Sequence, residues 1–158
     1  MPDPHATDTT QYLTSFIGGQ VFAVSLHSIR DVIEMIPLTP VPLAPDDVAG
    51  IVNLRGRLVT TIRLDRLLGI PVSDDQTPRL AIVFEQDGAL YSLLVHGVGD
   101  VLTLNHALLH PLPATLDQRW AQLSTGLFRL DKSVLLVLDI NRIYDTLTKV
   151  CHDHFSDC

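Results

Sequence analysis

The stretch Gly50–Gly69, GIVNLRGRLVTTIRLDRLLG, decides how this chain folds. Ile51-Val52-Asn53-Leu54 and Leu58 to Leu64 are strand-forming runs. Arg55-Gly56 between them reads as a tight turn, because Gly accepts the positive φ that a two-residue hairpin loop demands. Asp65 stands where a side chain caps a short helical turn over Arg66-Leu67-Leu68. Gly69 closes that turn, and Pro71 stops it from continuing. A hairpin that runs straight into a helical stub points to many short strands rather than to long helices.

The same rhythm extends outward. Upstream, Tyr12 to Ile17 alternates, with Leu13, Ser15 and Ile17 on one face, and Gly18-Gly19 turns it into Gln20 to Leu26. Ile29, Val32, Ile33 and Ile36 then fall at the spacing of one helix face. Ser28 and Asp31 match the start of a capping box, so a short helix is expected from Ser28. Pro37, Pro40, Pro42 and Pro45 make the next stretch a rigid connector. Downstream, the polar residues 71–78 are the expected boundary between two subdomains. Leu80 to Phe84 and Leu90 to Val95 form a hairpin across Asp87-Gly88, and Val98 to Leu104 continues extended. Residues 105–122, with Pro111, Pro113 and Trp120, read as irregular with one helical turn. Leu127 to Leu130 pairs with Val134 to Leu138 across Asp131-Lys132, and a terminal helix starts after Asp139. These signals give an all-β chain with short helices, in barrels or a sandwich. A parallel α/β fold is disfavoured because no long amphipathic helix recurs between strands.

The chain has 158 residues, 46% hydrophobic and 18% charged, enough for one compact domain or two small subdomains sharing a core. Its formal net charge of −7 argues against nucleic acid and against an anionic membrane surface, both of which require Lys and Arg. No apolar run approaches the roughly 18 residues of a membrane span, so no direct membrane insertion is expected. Residues 1–10, MPDPHATDTT, have neither a basic nor an apolar segment and read as a disordered leader, not a signal peptide. The only cysteines, Cys151 and Cys158, lie in the tail 149–158, so no disulfide framework is expected and the compartment is read as the cytoplasm.

A search for chemistry returns little. The common nucleotide, zinc-protease and hydrolase fingerprints are missing, and no cofactor is expected. Gly97 and Gly99 leave a G-x-G inside a strand, which reads as a β-bulge or a close backbone approach. His96, at the end of an apolar strand, is read as a partly buried, hydrogen-bonded histidine. Cys151, His152, His154 and Cys158 have metal-ligand chemistry, but they close the chain, where fraying is the rule, so no metal site is assigned. What remains are recognition residues. Arg55 at a hairpin tip is placed to make bidentate contacts with a carboxylate, and Asp31 is either an ordinary helix N3 acid or a surface recognition residue.

At this point four segments resemble one family. GIVNLRGRLVTTIRLDRLLG is similar to the signature segment of CheW-like domains. SIRDVIEM resembles the family's first-helix stretch, with Asp31 in place of the usual Glu. LVHGVGDVLTL resembles a second-half strand, with His96 where Asp is usual. STGLFRLDKSVLLVLDINRIYD resembles the closing hairpin and helix. The resemblance runs from about Tyr12 to Asp145, within an expected domain of residues 11–148. It implies two five-stranded SH3-like β-barrels packed together with a hydrophobic groove between them. It also implies a non-catalytic adaptor that couples the regulatory domain of the histidine kinase CheA to the cytoplasmic tips of chemoreceptors. Carried over by motif, the implied partner-binding residues are Ile29, Asp31, Gly50, Arg55 and Val101. Two alternatives stay open: an adaptor of another kinase pathway such as twitching motility, and a small metal-dependent β-barrel enzyme using His96 with the tail cysteines.

Overall fold

The computed structural model describes residues 9–34, 48–71, 80–131 and 133–154. In chain order the strands are β1 (Thr9–Ile17), β2 (Gln20–Ser25), β3 (Asp31–Glu34), β4 (Val48–Leu54), β5 (Arg57–Ile62), β6 (Leu80–Gln86), β7 (Ala89–Val95), β8 (Gly97–Asn105), β9 (Ser124–Arg129) and β10 (Val134–Leu138). The helices are α1 (Leu64–Leu68), α2 (Gln118–Leu123) and α3 (Ile140–His154), with single 3-10 turns at Leu26–Ser28 and His106–Leu108. The mostly-β expectation holds.

The strands form two five-stranded sheets, ordered β8-β1-β2-β10-β9 and β3-β6-β7-β5-β4. Both follow one plan. Each consists of two hairpins joined by a single parallel pair, β2 with β10 or β7 with β5, plus one antiparallel edge strand. In each, the strand that enters the parallel pair later in the plan, β5 or β10, runs directly into a helix, α1 or α3.

The sheets do not divide the chain into halves. The second sheet is built from strands between Asp31 and Val95, and the first combines the opening hairpin with everything from Gly97 onward. The expected boundary at residues 71–78 lies almost wholly outside the described residues, and the strands on either side of it, β5 and β6, belong to one sheet. The chain changes sheet after β2 and after β7, because β1 and β2 find their pairing partners more than 70 residues away, as in Leu13 with Val101 and Val24 with Leu138. Pairing also takes Thr9 and Thr10, opposite Asn105 and Leu104, out of the leader expected over residues 1–10.

The helix expected from Ser28 is absent. A 3-10 turn at Leu26–Ser28 leads into β3, which pairs with β6 from Asp31 opposite Val83 to Glu34 opposite Leu80. The Arg30 N–H donates to the Val83 carbonyl at 2.7 Å and starts this ladder. Val32 and Ile33 are β-branched and suit a strand, and pairing to a long neighbour outweighs a marginal local helix period. Ile36 and the proline-rich connector lie outside the described residues. At α1, Arg63 rather than Asp65 occupies the N-cap position, and Gly69 closes the helix with φ 68° as expected.

The main core lies between the sheets. Ile17, Phe22 and Val24 of the first sheet meet Ile62, Ile82, Phe84 and Leu93 of the second, and Leu64, Leu123 and Ile143 from the three helices complete it. Each sheet also carries a smaller cluster: Tyr12, Ala23, Phe128, Leu135 and Val137 in the first, and Val52, Val59, Val83 and Leu90 in the second.

Candidate functional site

The β4–β5 turn presents Arg55. Arg55 and Gly56 have φ values of 52° and 85°, the left-handed pair of a type I′ turn, whose twist matches that of the strands it joins. Asn53 supports the turn by accepting the Gly56 N–H on Oδ1 at 2.9 Å. The Arg55 side chain is exposed and has no hydrogen bond or ion pair among the described residues. Arg57 also reaches out, donating from Nη2 to the Gly88 carbonyl at 3.4 Å, so the β4–β5 and β6–β7 tips lie side by side. Leu58, opposite Asn53, is 67% exposed, more than any other large apolar residue described.

Gly50 sits one turn of pleat further in. The register of β4 on β5 slips between Val48 and Gly50, leaving Ala49 as the extra residue of a bulge, and Gly50 has φ 156°. Gly50 is buried, so its contribution is backbone shape rather than a contact surface.

Ile29 and Asp31 lie at the other edge of that sheet. Ile29 is half-buried against the main core, and Asp31 opens β3 with its Oδ1 accepting the Val32 N–H at 2.8 Å. Arg30 between them ion-pairs with Glu85 on β6 at 2.5 Å. β3 and β4 are the first and last strands in the order of this sheet. Val101, 47% exposed, lies on β8, an edge strand of the other sheet. The five residues carried over by motif therefore lie on or beside three terminal strands, β3, β4 and β8, of the two sheets. Arg57 and Leu58 were missed by sequence reasoning. The signal was present, since an apolar residue directly across a hairpin from an exposed Asn shares its outward face.

The buried polar groups are satisfied locally. Asp65, 2% exposed, takes a bidentate pair from Arg63 through Nε to Oδ1 at 3.2 Å and Nη2 to Oδ2 at 2.8 Å, which raises the Arg63 guanidinium above its ordinary range. Ser92 donates to Thr61 at 3.0 Å. Burial pushes the Tyr91 hydroxyl up, helped by Tyr144 and Asp87, and Tyr144 itself donates to Asp87 at 3.3 Å. His96 is half-buried, and its Nδ1 accepts the Gly18 N–H at 2.8 Å, in accord with the structural reading of this histidine. The G-x-G of β8 is a bulge. Leu13 opposes Val101 and Ser15 opposes Val98, so Gly99 and Asp100 together face Thr14, which donates to the Asp100 carbonyl at 2.8 Å. Among the described residues no three His, Cys, Asp or Glu side chains gather to hold a metal, and the side chains of Cys151, His152, His154 and Cys158 fall outside them.

The outward features are thus sheet edges and hairpin tips, in a two-sheet frame with matching topologies. Residues 11–147 match the family model described as the CheW-like domain. The chain belongs to the CheW-like domain family. The chemotaxis protein CheW of Thermotoga maritima is 30% identical over 138 residues, covering 87% of this chain and 89% of that protein. The chemotaxis protein CheW of Rhizobium meliloti is 25% identical over 141 residues, covering 89% of this chain and 91% of that protein. In fold, the CheW-like chain is similar to the scaffolding protein TtCheW from Thermoanaerobacter tengcongensis, with a TM-score of 0.71, 20% identity, and coverage of 82% of this chain and 88% of that one.

Proposed function

We propose that this CheW-like chain is a non-catalytic chemotaxis adaptor that couples the histidine kinase CheA, through its regulatory domain, to the cytoplasmic tips of chemoreceptors. The observation that carries this reading is the family match over residues 11–147, shared with relatives named as chemotaxis proteins across nearly their whole length. Ile29, Asp31 and Arg55 go with one sheet and Val101 with the other, which suits a bridge, because two partners engaged at once need separate footprints. Gly50 shapes the strand that presents Arg55. The adaptor reading places the protein in the cytoplasm, recruited to membrane-associated receptor arrays; no helix among the described residues is long and apolar enough to cross a membrane.

Each sheet is read as an SH3-like barrel, with the domain spanning residues 11–148. Support comes from the small apolar cluster that each sheet encloses, apart from the shared core. Further support comes from His110, beyond the end of β8, which exchanges backbone hydrogen bonds of 2.7 and 3.0 Å with Leu127 of the opposite edge strand β9. Gly126 permits that closure, since a Cβ there would stand 2.7 Å from the His110 carbonyl oxygen.

The direct test is reconstitution of the purified chain with the kinase and receptor of its own cell, reading kinase activity. Receptor-dependent activation that requires this protein is the expected result, and a kinase indifferent to its presence would rule the adaptor reading out. Arg55→Ala should weaken binding by roughly 2 kcal/mol, about thirtyfold, and Arg55→Glu by more, if the group it meets is a carboxylate.

A further inference from the structure

Helix α3 leaves the first sheet at the end of β10, yet it makes side-chain contacts with the second. Its Ile143 and Leu147 enter the main core, and Tyr144, between them in sequence, reaches the β6–β7 hairpin. The Tyr144 ring meets Tyr91 of β7 edge-to-face with centroids 5.4 Å apart, and its hydroxyl donates to Asp87 Oδ2 at 3.3 Å. Tyr91 stacks in turn on Phe84 of β6 at 5.5 Å. Asp87 and Gly88 are the hairpin tip itself, a left-handed pair with φ 53° and 83°. Gly88 accepts Nη2 of Arg57 at 3.4 Å, just before β5 and β7 begin their parallel pairing at Val59 opposite Leu90. Arg57 directly follows the Arg55-Gly56 turn. Contacts therefore run from α3 through Asp87-Gly88 and Arg57 to the turn that presents Arg55.

We propose that Tyr144 is a positioning residue for the Arg55 turn: by holding Asp87 it fixes the β6–β7 tip on which the β4–β5 tip rests. The need for such a brace follows from the sheet order. β4 is the last strand of its sheet, so within that sheet its hairpin is supported from the β7 side alone. Loop tips are the least restrained parts of a sheet, and ordering them on binding costs affinity. A phenol that donates to a carboxylate is a charge-assisted bond, and this phenol stands on a helix anchored by buried neighbours. Because α3 continues from β10, the brace also sets where Arg55 stands relative to the first sheet. An adaptor with partners on both sheets depends on that relation.

This inference rests on the adaptor reading and adds a residue that acts through Arg55. The test is a double-mutant cycle on the full chain. Affinities for the full-length kinase and for a receptor signalling-tip fragment are measured separately, beside the melting temperature of each variant. The informative probe is the one whose binding Arg55→Ala weakens at least tenfold. Tyr144→Phe keeps the ring against Tyr91 and removes only the hydroxyl, and should weaken binding to that probe at least threefold with an unchanged melting temperature. Added to Arg55→Ala, the same substitution should change affinity by less than about 1.5-fold, because the group it positions is gone. The cycle decides even if Tyr144→Phe lowers the melting temperature, since a general loss of folded protein weakens binding equally in both backgrounds. Equal losses in the two backgrounds, or Tyr144→Phe binding like wild type, overturn the positioning role and leave the adaptor reading standing. Arg55→Ala binding both probes like wild type overturns it too, by removing the contact to be positioned. Wild-type binding to neither probe overturns the adaptor reading, and this inference with it.

Discussion

The imidazole Nδ1 of His96, at the end of β7, accepts the backbone N–H of Gly18 in the β1–β2 turn at 2.8 Å. A strand end of one sheet is thereby tied to a hairpin tip of the other, and the His96 N–H repeats the tie by donating to the Phe16 carbonyl at 2.9 Å. Asp, the residue expected here from the family resemblance, would also be an acceptor. His96→Ala should lower stability by about 1 kcal/mol in urea unfolding, and His96→Asp should lose less, because a carboxylate accepts the same N–H. Equal losses in both variants would mean that acceptance by Nδ1 is not what the site supplies.

Gly18 is constrained from a second side. Its φ of 55° is left-handed, and a Cβ there would overlap Ile70 Cγ2, just beyond α1. Gly18→Ala should therefore cost more than 2 kcal/mol, while Gly19→Ala, with φ 80° and open space around it, should cost only about 1 kcal/mol of backbone strain. Chemical denaturation of the two variants side by side reads the difference.

Ser15 is fully buried on β1, and among the described residues its hydroxyl has no hydrogen-bond partner. An unpaired buried hydroxyl costs roughly 1–3 kcal/mol, which its removal recovers less a small packing loss. Ser15→Ala should raise the denaturation midpoint by the equivalent of up to about 1 kcal/mol. A clear loss of stability would show that the hydroxyl is engaged.

Tyr12 and Tyr91 both have hydroxyls pushed above the ordinary value of 10.0, chiefly by burial. The folded state holds them neutral, so their stabilising contribution is complete below pH 10.0 and is lost as pH rises from there through the folded values. Stability measured from pH 8 to 11 should fall at the alkaline end, and Tyr91→Phe should flatten that fall. A Tyr91→Phe curve parallel to wild type would remove Tyr91 as a source.

The sequence by itself determined the local pieces: hairpins at Gly18-Gly19, Arg55-Gly56 and Asp87-Gly88, the αL cap at Gly69, the bulge near Gly99, and α3 starting after Asp139, whose Oδ1 accepts the Asn141 N–H at 2.8 Å. Each depends on residues a few positions apart, where turn chemistry and side-chain alternation act directly. It also showed the family, through motifs that lie on such local pieces, and it placed Arg55 on an exposed tip. Only the tertiary structure decided that Asp31–Glu34 is a strand, because the spacing of Ile29, Val32 and Ile33 suits a helix face and the β6 ladder settles the choice from about 50 residues away. Only it decided that β2 joins β10 and β5 joins β7 in parallel, splitting the chain into a middle sheet and an outer one. Such pairings are chosen by how whole apolar faces fit, and local periodicity does not rank one distant partner above another. The same long-range pairing sets Arg57 beside the Gly88 tip, and so brings together two hairpins that are remote in sequence.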